Sequence, residues 1–174
     1  MVIWLVGLSG VGKSTLGREV FQQWRQLAPN TVILDGDHLR EIFCHDNEKT
    51  DYSIKGRKTN AERACALCKL LDDQNINVVC CLLSAFEEHR KWNRANYSQY
   101  FEVFIDVPFD ELVARDEKNL YGPALAGKMK NVVGVDIPFE RPINPHLTIH
   151  NTHNGNDIAL FSARILSALG VKHD

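Results

Sequence analysis

Residues Gly7-Leu8-Ser9-Gly10-Val11-Gly12-Lys13-Ser14 directly follow the apolar run Val2-Ile3-Trp4-Leu5-Val6, and the residues after them have the pattern of a helix. A strand, a glycine-rich turn and a helix in that order make a phosphate-binding loop. The glycines let backbone amides turn inward around an anion, Lys13 can reach outer phosphates, and the Ser14 hydroxyl can hold Mg²⁺. A chance glycine-rich turn has no reason to sit between a buried strand and a helix. Gly10, Val11, Gly12, Lys13, Ser14 and Thr15 are therefore the expected nucleoside triphosphate site, with Ser14 as the metal contact.

A strand that ends in such a loop needs parallel neighbours, and the rest of the chain supplies them by alternating apolar runs with amphipathic segments. Helices are expected at Ser14 to Leu27, 57 to 74, Glu87 to Tyr97, Pro108 to Asp116 and Asp157 to Leu169. Strands are expected at Thr31 to Leu34, Val78 to Leu83, Phe101 to Val107 and Leu147 to Ile149. The fold class is α/β, a parallel sheet of about five strands flanked by helices. Residues 117 to 146, rich in Gly, Pro and Lys and without periodicity, suit a lid over the site.

The chain has 174 residues, enough for one domain over 1–174. Its net charge of −2 gives no support for nucleic acid or a membrane surface as partner. The start of the chain lacks a basic leader, and no apolar run would span a bilayer, so the expected location is cytoplasmic. The partner expected is a small-molecule nucleotide, with a homodimer left open. Cys65 and Cys68 have ligand-like spacing, but they fall in a helical pattern, while neighbouring Cys80 and Cys81 in a strand point to opposite faces. These four, with Cys44, are expected to be free thiols rather than a zinc site. Trp4 and Trp24 are expected as core anchors, Trp92 as surface cover, and His45, His89, His146, His150, His153 and His173 as residues without ligand spacing.

In a parallel sheet, ligands gather at the C-terminal ends of the strands. That rule brings the phosphate loop, Asp35-Gly36-Asp37, Leu83-Ser84 and Asp106 to one rim. Phosphoryl transfer needs a metal, cations for developing charge and a group that positions the nucleophile. Lys13, Asp35 and Asp37 are the catalytic candidates, and Arg40 and Arg57 the cationic ones. Either aspartate could assist Mg²⁺ or accept the proton of a substrate hydroxyl. Asp37 could also cap the helix that follows it.

The same residues resemble the adenylylsulfate (APS) kinase family, whose members use ATP to phosphorylate the 3′-hydroxyl of adenosine 5′-phosphosulfate. The resemblance runs from the phosphate loop through Leu34-Asp35-Gly36-Asp37-His38-Leu39-Arg40, Tyr52-Ser53 to Arg57 and Asn60, and Leu83-Ser84-Ala85-Phe86. It continues through Ala114-Arg115-Asp116-Glu117-Lys118-Asn119-Leu120-Tyr121 to Lys130-Asn131-Val132-Val133-Gly134-Val135-Asp136-Ile137-Pro138-Phe139-Glu140. It implies a P-loop kinase with ATP and Mg²⁺, in which Arg115 flanks the adenine of ATP. Asp35, Asp37, Arg40, Tyr52, Arg57, Asn60, Leu83, Ser84, Lys130 and Val132 then face the acceptor.

The chain departs from the family pattern at His38, Glu62, Ala85, Glu117 and Asn119, and above all at Val132. There the family carries a lid Phe that, with an aromatic at the position of Tyr52, sandwiches the acceptor's adenine. One stacking face is absent, worth about 1–3 kcal/mol on other proteins. Two acceptors follow: APS, as in sulfate activation, and a cytidine nucleotide such as cytidine diphosphoramidate, as in capsular polysaccharide modification by APS-kinase-like enzymes. A non-catalytic nucleotide switch fits the intact Lys13, Ser14 and Asp35 poorly. A shikimate or gluconate kinase does not account for residues 114 to 140.

Overall fold

A computed structural model describes residues 1–43, 51–151 and 157–170; Cys44, His45, His153 and His173 lie outside them. The strands are β1 (Val2–Val6), β2 (Thr31–Asp35), β3 (Asn77–Cys81), β4 (Tyr100–Asp106) and β5 (Leu147–His150). They form one sheet in the order β2-β3-β1-β4-β5, parallel throughout. Every residue of β1 is buried, as expected of a central strand covered on both faces.

The two-residue repeat of the strands sorts their side chains into two cores. Ile3, Leu5, Val79, Cys81, Val103 and Ile105 pack with Leu16, Val20 and Trp24 of α1 (Lys13–Leu27) and Phe161, Ile165 and Leu166 of α7 (Ile158–Ala168). Val2, Trp4, Val78, Cys80 and Phe104 pack on the other face against Ala61, Ala64, Cys65 and Cys68 of α3 (Ile54–Asp72). The adjacent thiols of Cys80 and Cys81 thus enter different cores, and Cys65, Cys68, Cys80 and Cys81 are free and buried. Trp4 and Trp24 are core residues, whereas Trp92 is 40% exposed and sets its ring edge-on to Tyr97. His146, which has no partner legible in the sequence, accepts a hydrogen bond at Nδ1 from Glu102 N–H (2.9 Å). Among the described residues no helix is long and apolar enough to cross a membrane.

The remaining helices are α2 (Gly36–Phe43), α4 (Glu87–Asn96), α5 (Phe109–Arg115) and α6 (Tyr121–Leu125). Several elements differ from expectation: β3 stops at Cys81 rather than Leu83, α3 stops at Asp72 rather than residue 74, and neither α2, expected only as a helix after Asp37, nor α6 is among the expected spans. Helix α3 begins three residues before Arg57, because Ser53 Oγ accepts a hydrogen bond from Gly56 N–H (3.2 Å) and caps it. Helix α6 interrupts the stretch that carries no periodicity. It is too short to show a repeat, and it is nucleated by Asp116, whose carboxylate accepts from Leu120 N–H (2.7 Å), Tyr121 N–H (2.9 Å) and Gly122 N–H (2.8 Å). Residues 117–146 therefore contain a short helix capped by the Asp116 carboxylate, and Asn119 takes the left-handed φ of 49°.

Candidate active site

The switch in strand order on either side of β1 opens a crevice at the strands' C-terminal ends, and the loop from Gly7 to Gly12 lies there. Gly10 and Gly12 adopt φ of 80° and 93°, the left-handed region open chiefly to glycine. Gly12 stands as the N-cap of α1 without a side-chain hydrogen bond, which leaves first-turn amides of the helix directed at the crevice. Lys13 folds back over the loop, its Nζ donating to Gly7 O (2.9 Å) and Leu8 O (2.7 Å). Burial pulls its pKa down to about 8, so the ammonium is short of counter-charge and suited to an anion.

Asp35, the last residue of β2, is held at both oxygens. Ser14 Oγ donates to its Oδ2 (2.6 Å) and Asp37 N–H to its Oδ1 (3.0 Å). Capping of α2 therefore falls to Asp35 rather than Asp37, because α2 already begins at Gly36 and Asp37 lies within its first turn. The Asp37 carboxylate instead takes a hydrogen bond from Lys118 Nζ (3.0 Å) in the lid. Burial pushes its pKa up, but the bond and charge of Lys118 outweigh burial and hold it below the usual carboxylate range.

These groups line one cleft of about 590 Å³. It brings together Gly10, Gly12, Lys13, Ser14, Thr15, Asp35, Asp37, Arg40, Tyr52, Arg57, Asn60, Leu83, Lys130 and Val132, which are far apart in sequence. At one end Arg40 and Arg57 set their guanidinium carbons 4.9 and 5.5 Å from the centre of the Tyr52 ring. Arg40 donates to Asp51 O (2.9 Å), and Arg57 to Tyr52 O (2.9 Å) and to Asn131 O of the lid (2.7 Å). Asn60 is buried with its amide 3.5 Å from Gly36 O. Ser84 lies in a smaller recess continuous with these residues, shared with Arg40, Arg57, Asn60 and Leu83.

Some expected residues sit elsewhere. Arg115 borders a separate small cleft with Ser9, Gly10 and Tyr121 and pairs with Glu111 (2.8 Å). Val11 is in the main core and lines a recess of about 200 Å³ that runs from Gly10 and Thr15 to Ile149, Asn151 and Phe161. Asp106 ends β4 on the rim but turns to Arg141 (2.8 Å), outside the cleft. His38 is exposed and does not line the cleft. Val132 is only 6% exposed and packs into the main core, its N–H bound to Asp136 Oδ1 (2.6 Å).

The sequence reading passed over four residues that shape the site. Lys118 pairs across the cleft, Tyr121 donates its hydroxyl to Ser9 O (2.9 Å), Asn151 donates to Val11 O (2.9 Å), and Asp136 staples the lid turn at Asn131 N–H and Val132 N–H (2.6 Å each). Asn151 was within reach of the strand-end rule, since it directly follows β5. Lys118 and Asp136 are polar residues in loops, and Tyr121 opens a helix too short to show a repeat, so spacing carries no signal for any of them.

Ser14 and Asp35 offer hard oxygen ligands beside Lys13, which suits Mg²⁺. Among the described residues no group of three or more His, Cys, Asp or Glu side chains is gathered for a metal. An ion here would complete its shell from phosphate and water, the usual habit of Mg²⁺ in phosphate-transfer sites.

The sequence pattern of the adenylylsulphate kinase family matches residues 1–150. The chain is 38% identical over 155 residues to a cytidine diphosphoramidate kinase of Campylobacter jejuni, covering 89% of this chain and 88% of that one. It is 35% identical over 170 residues to an adenylyl-sulfate kinase of Pseudomonas aeruginosa, covering 97% and 84%. The structure of the Mycobacterium tuberculosis APS kinase CysC in complex with AMPPNP and APS superimposes with a TM-score of 0.84 at 30% identity, covering 97% of this chain and 96% of that one. With its family pattern matched over residues 1–150 and a relative's structure superimposed over 97% of the chain, the protein belongs to the adenylylsulphate kinase family, phosphotransferases that act on a hydroxyl acceptor.

Proposed function

We propose that the protein transfers the γ-phosphoryl group of ATP to the 3′-hydroxyl of a nucleotide whose 5′-phosphate carries a second group, with APS as the first acceptor. The reading rests on one observation: a single cleft joins the phosphate loop to the Arg40, Arg57 and Tyr52 cluster, with Asp35 and Asp37 between them. Lys13 leaves the Gly7 and Leu8 carbonyls to meet the outer phosphates, and the α1 amides hold the phosphates next to them. Ser14 would hold Mg²⁺, with Asp35 reaching it only through water, and the ion when bound neutralises charge on the phosphates. Arg40 and Arg57 receive the anionic end of the acceptor, and Lys130 adds charge from the lid. Asp35, at the end of β2 where the two ends of the cleft meet, is the acceptor for the hydroxyl proton, while Asp37 is held by Lys118. ATP's base takes the recess at Thr15, Ile149 and Asn151, near Arg115. The buried free thiols accord with a cytoplasmic protein.

The burial of Val132 favours a second acceptor. Its side chain belongs to the core and offers no ring to a base, so among the described residues lining the main cleft Tyr52 is the one aromatic. A single face suits a smaller base, and a cytidine nucleotide such as cytidine diphosphoramidate is the second reading. The deciding experiment measures ATP-dependent phosphorylation of both compounds side by side. Turnover on APS exceeding that on the cytidine compound is expected; the opposite preference by orders of magnitude moves the assignment to the second reading, and turnover on neither overturns both.

A further inference from the structure

Below the acceptor recess lies a buried charge that the chemistry described so far does not use. Arg90 of α4 is 2% exposed, and its burial is offset in part by the charges of Glu102, Glu87 and Glu140, with none of them in ion-pair contact among the described residues. Its guanidinium is spent on two backbone carbonyls from distant segments: Nη1 donates to Ser84 O (2.7 Å) and Nη2 to Glu140 O (2.7 Å). The same two segments meet again through Glu140 N–H to Ala85 O (2.9 Å) and Glu87 N–H to the Glu140 carboxylate (2.5 Å). Burying a cation to satisfy carbonyls is expensive, and packing alone would be served by an apolar side chain.

What the charge holds is unusual. Ser84 is a non-glycine residue at φ 54°, it is 4% exposed, and its hydroxyl has no partner among the described residues. Ser84 lines the recess shared with Arg40, Arg57 and Asn60, with its hydroxyl buried at the wall. We propose that Arg90 is a positioning residue for the acceptor nucleotide: one planar fork holds the Ser84 carbonyl, and with it the left-handed backbone that presents the Ser84 hydroxyl. The same fork ties the end of the lid at Glu140 to that loop. A lysine cannot reproduce it, because a point charge does not span two carbonyls in a fixed plane. The inference rests on the kinase reading above for the identity of the ligand, but not for the coupling of the two segments.

The test compares Arg90→Gln, Arg90→Lys, Ser84→Ala and the Arg90→Lys/Ser84→Ala double variant. KM is measured for whichever nucleotide the wild type phosphorylates and, separately, for ATP. Arg90→Gln raises the acceptor KM about tenfold and leaves the ATP KM within about twofold, and Arg90→Lys falls between it and wild type. Because Arg90 acts through Ser84, the double variant loses no more acceptor affinity than Ser84→Ala alone. Amide hydrogen exchange on Arg90→Lys shows residues 83–86 and 139–141 loosening together while residues 7–16 keep their protection. Equal changes in both KM values, additive losses in the double variant, or loosening of only one segment overturns the proposal. Should Arg90→Gln fail to fold, the Lys and Ala variants carry the same comparison. If wild type phosphorylates no nucleotide, the kinase reading fails while hydrogen exchange still decides the coupling.

Discussion

At the phosphate-loop end of the cleft the geometry comes from consecutive residues, Gly7 to Thr15, whose backbone angles and one lysine define the site. At the acceptor end it comes from Arg40, Arg57, Ser84 and Val132, which lie on separate segments and are held by side-chain bonds, among them one from Arg57 to the Asn131 carbonyl 74 residues away. A site made by local backbone takes its shape from its own dihedral angles, even where Tyr121, Asn151 and Asp35 reach it from distant segments. A site made by cross-links shifts whenever one of them changes. Relatives can thus keep one donor end while their acceptors diverge, as the pairing of an adenylyl-sulfate kinase with a cytidine diphosphoramidate kinase among them illustrates.

The strongest way to break the local end is Lys13→Ala. Turnover should fall about 10³-fold or more, because the charge on the transferred group loses its nearest cation. The thermal midpoint should stay level or rise, since the ammonium is desolvated in the free protein. Near-wild-type turnover would remove Lys13 from the chemistry. The wild-type residue also predicts a pH dependence. Phosphate favours charged Lys13, so bound ATP raises a pKa that is about 8 in the free protein. ATP affinity is therefore level below that pH and weakens as pH rises through it, by up to about tenfold per unit until the bound-state pKa is reached. Calorimetry in buffers of different ionisation enthalpy should show proton uptake on binding near pH 8 and above. Proton release there would contradict the sign.

Asp35 stands where the two ends meet, so Asp35→Asn should affect the reaction rather than either ligand. We expect turnover to drop about 10²-fold with ATP affinity changed little, because the amide still accepts from Ser14 but no longer takes a proton. Weakened ATP binding at unchanged turnover would make Asp35 a ground-state contact only.

How much was legible in the sequence follows the same division. The phosphate loop, the strand ends and Asp35 could be placed because a motif or a period of two residues is a local pattern. Arg40 and Arg57 were candidates by charge and Ser84 by its place after a strand, Tyr52 and Asn60 came from resemblance, and the structure gathers all five around the same cleft and recess. Lys118, Tyr121 and Arg90 were not found, because their work is a hydrogen bond across 81, 112 or 6 to 50 residues of chain. Helix α6 escaped for a related reason: its start is set by the Asp116 carboxylate rather than by an apolar stripe.

Val132→Phe sharpens the comparison at the acceptor end. If the new ring turns into the cleft it faces the base opposite Tyr52, and APS binding tightens by about 1–3 kcal/mol. For a cytidine nucleotide the same ring crowds a space fitted to a smaller base, and KM rises. Valine here is core, so a ring forced inward instead costs about 1–3 kcal/mol of stability. The thermal midpoint separates that outcome from the other two: a lowered midpoint with unchanged KM values for both nucleotides would mean that position 132 does not face the acceptor.

The smallest effect expected lies where the lid touches the local end. Tyr121 Oη donates to Ser9 O at 2.9 Å, joining α6 to the phosphate loop, while its ring packs edge-on to Phe109 at 5.3 Å between centroids. Tyr121→Phe keeps the ring contact and removes only the bond. Because Ser9 O lies near the mouth of a cleft that water enters, the cost should be a net hydrogen bond of about 0.5–1.5 kcal/mol rather than a buried orphan. If the loop is set by its own backbone, that loss appears in the thermal midpoint and in exchange of the α6 amides, with ATP affinity unchanged. A fall in ATP affinity as large as the fall in stability would show that the phosphate loop too depends on a cross-link, and the contrast between the two ends would no longer hold.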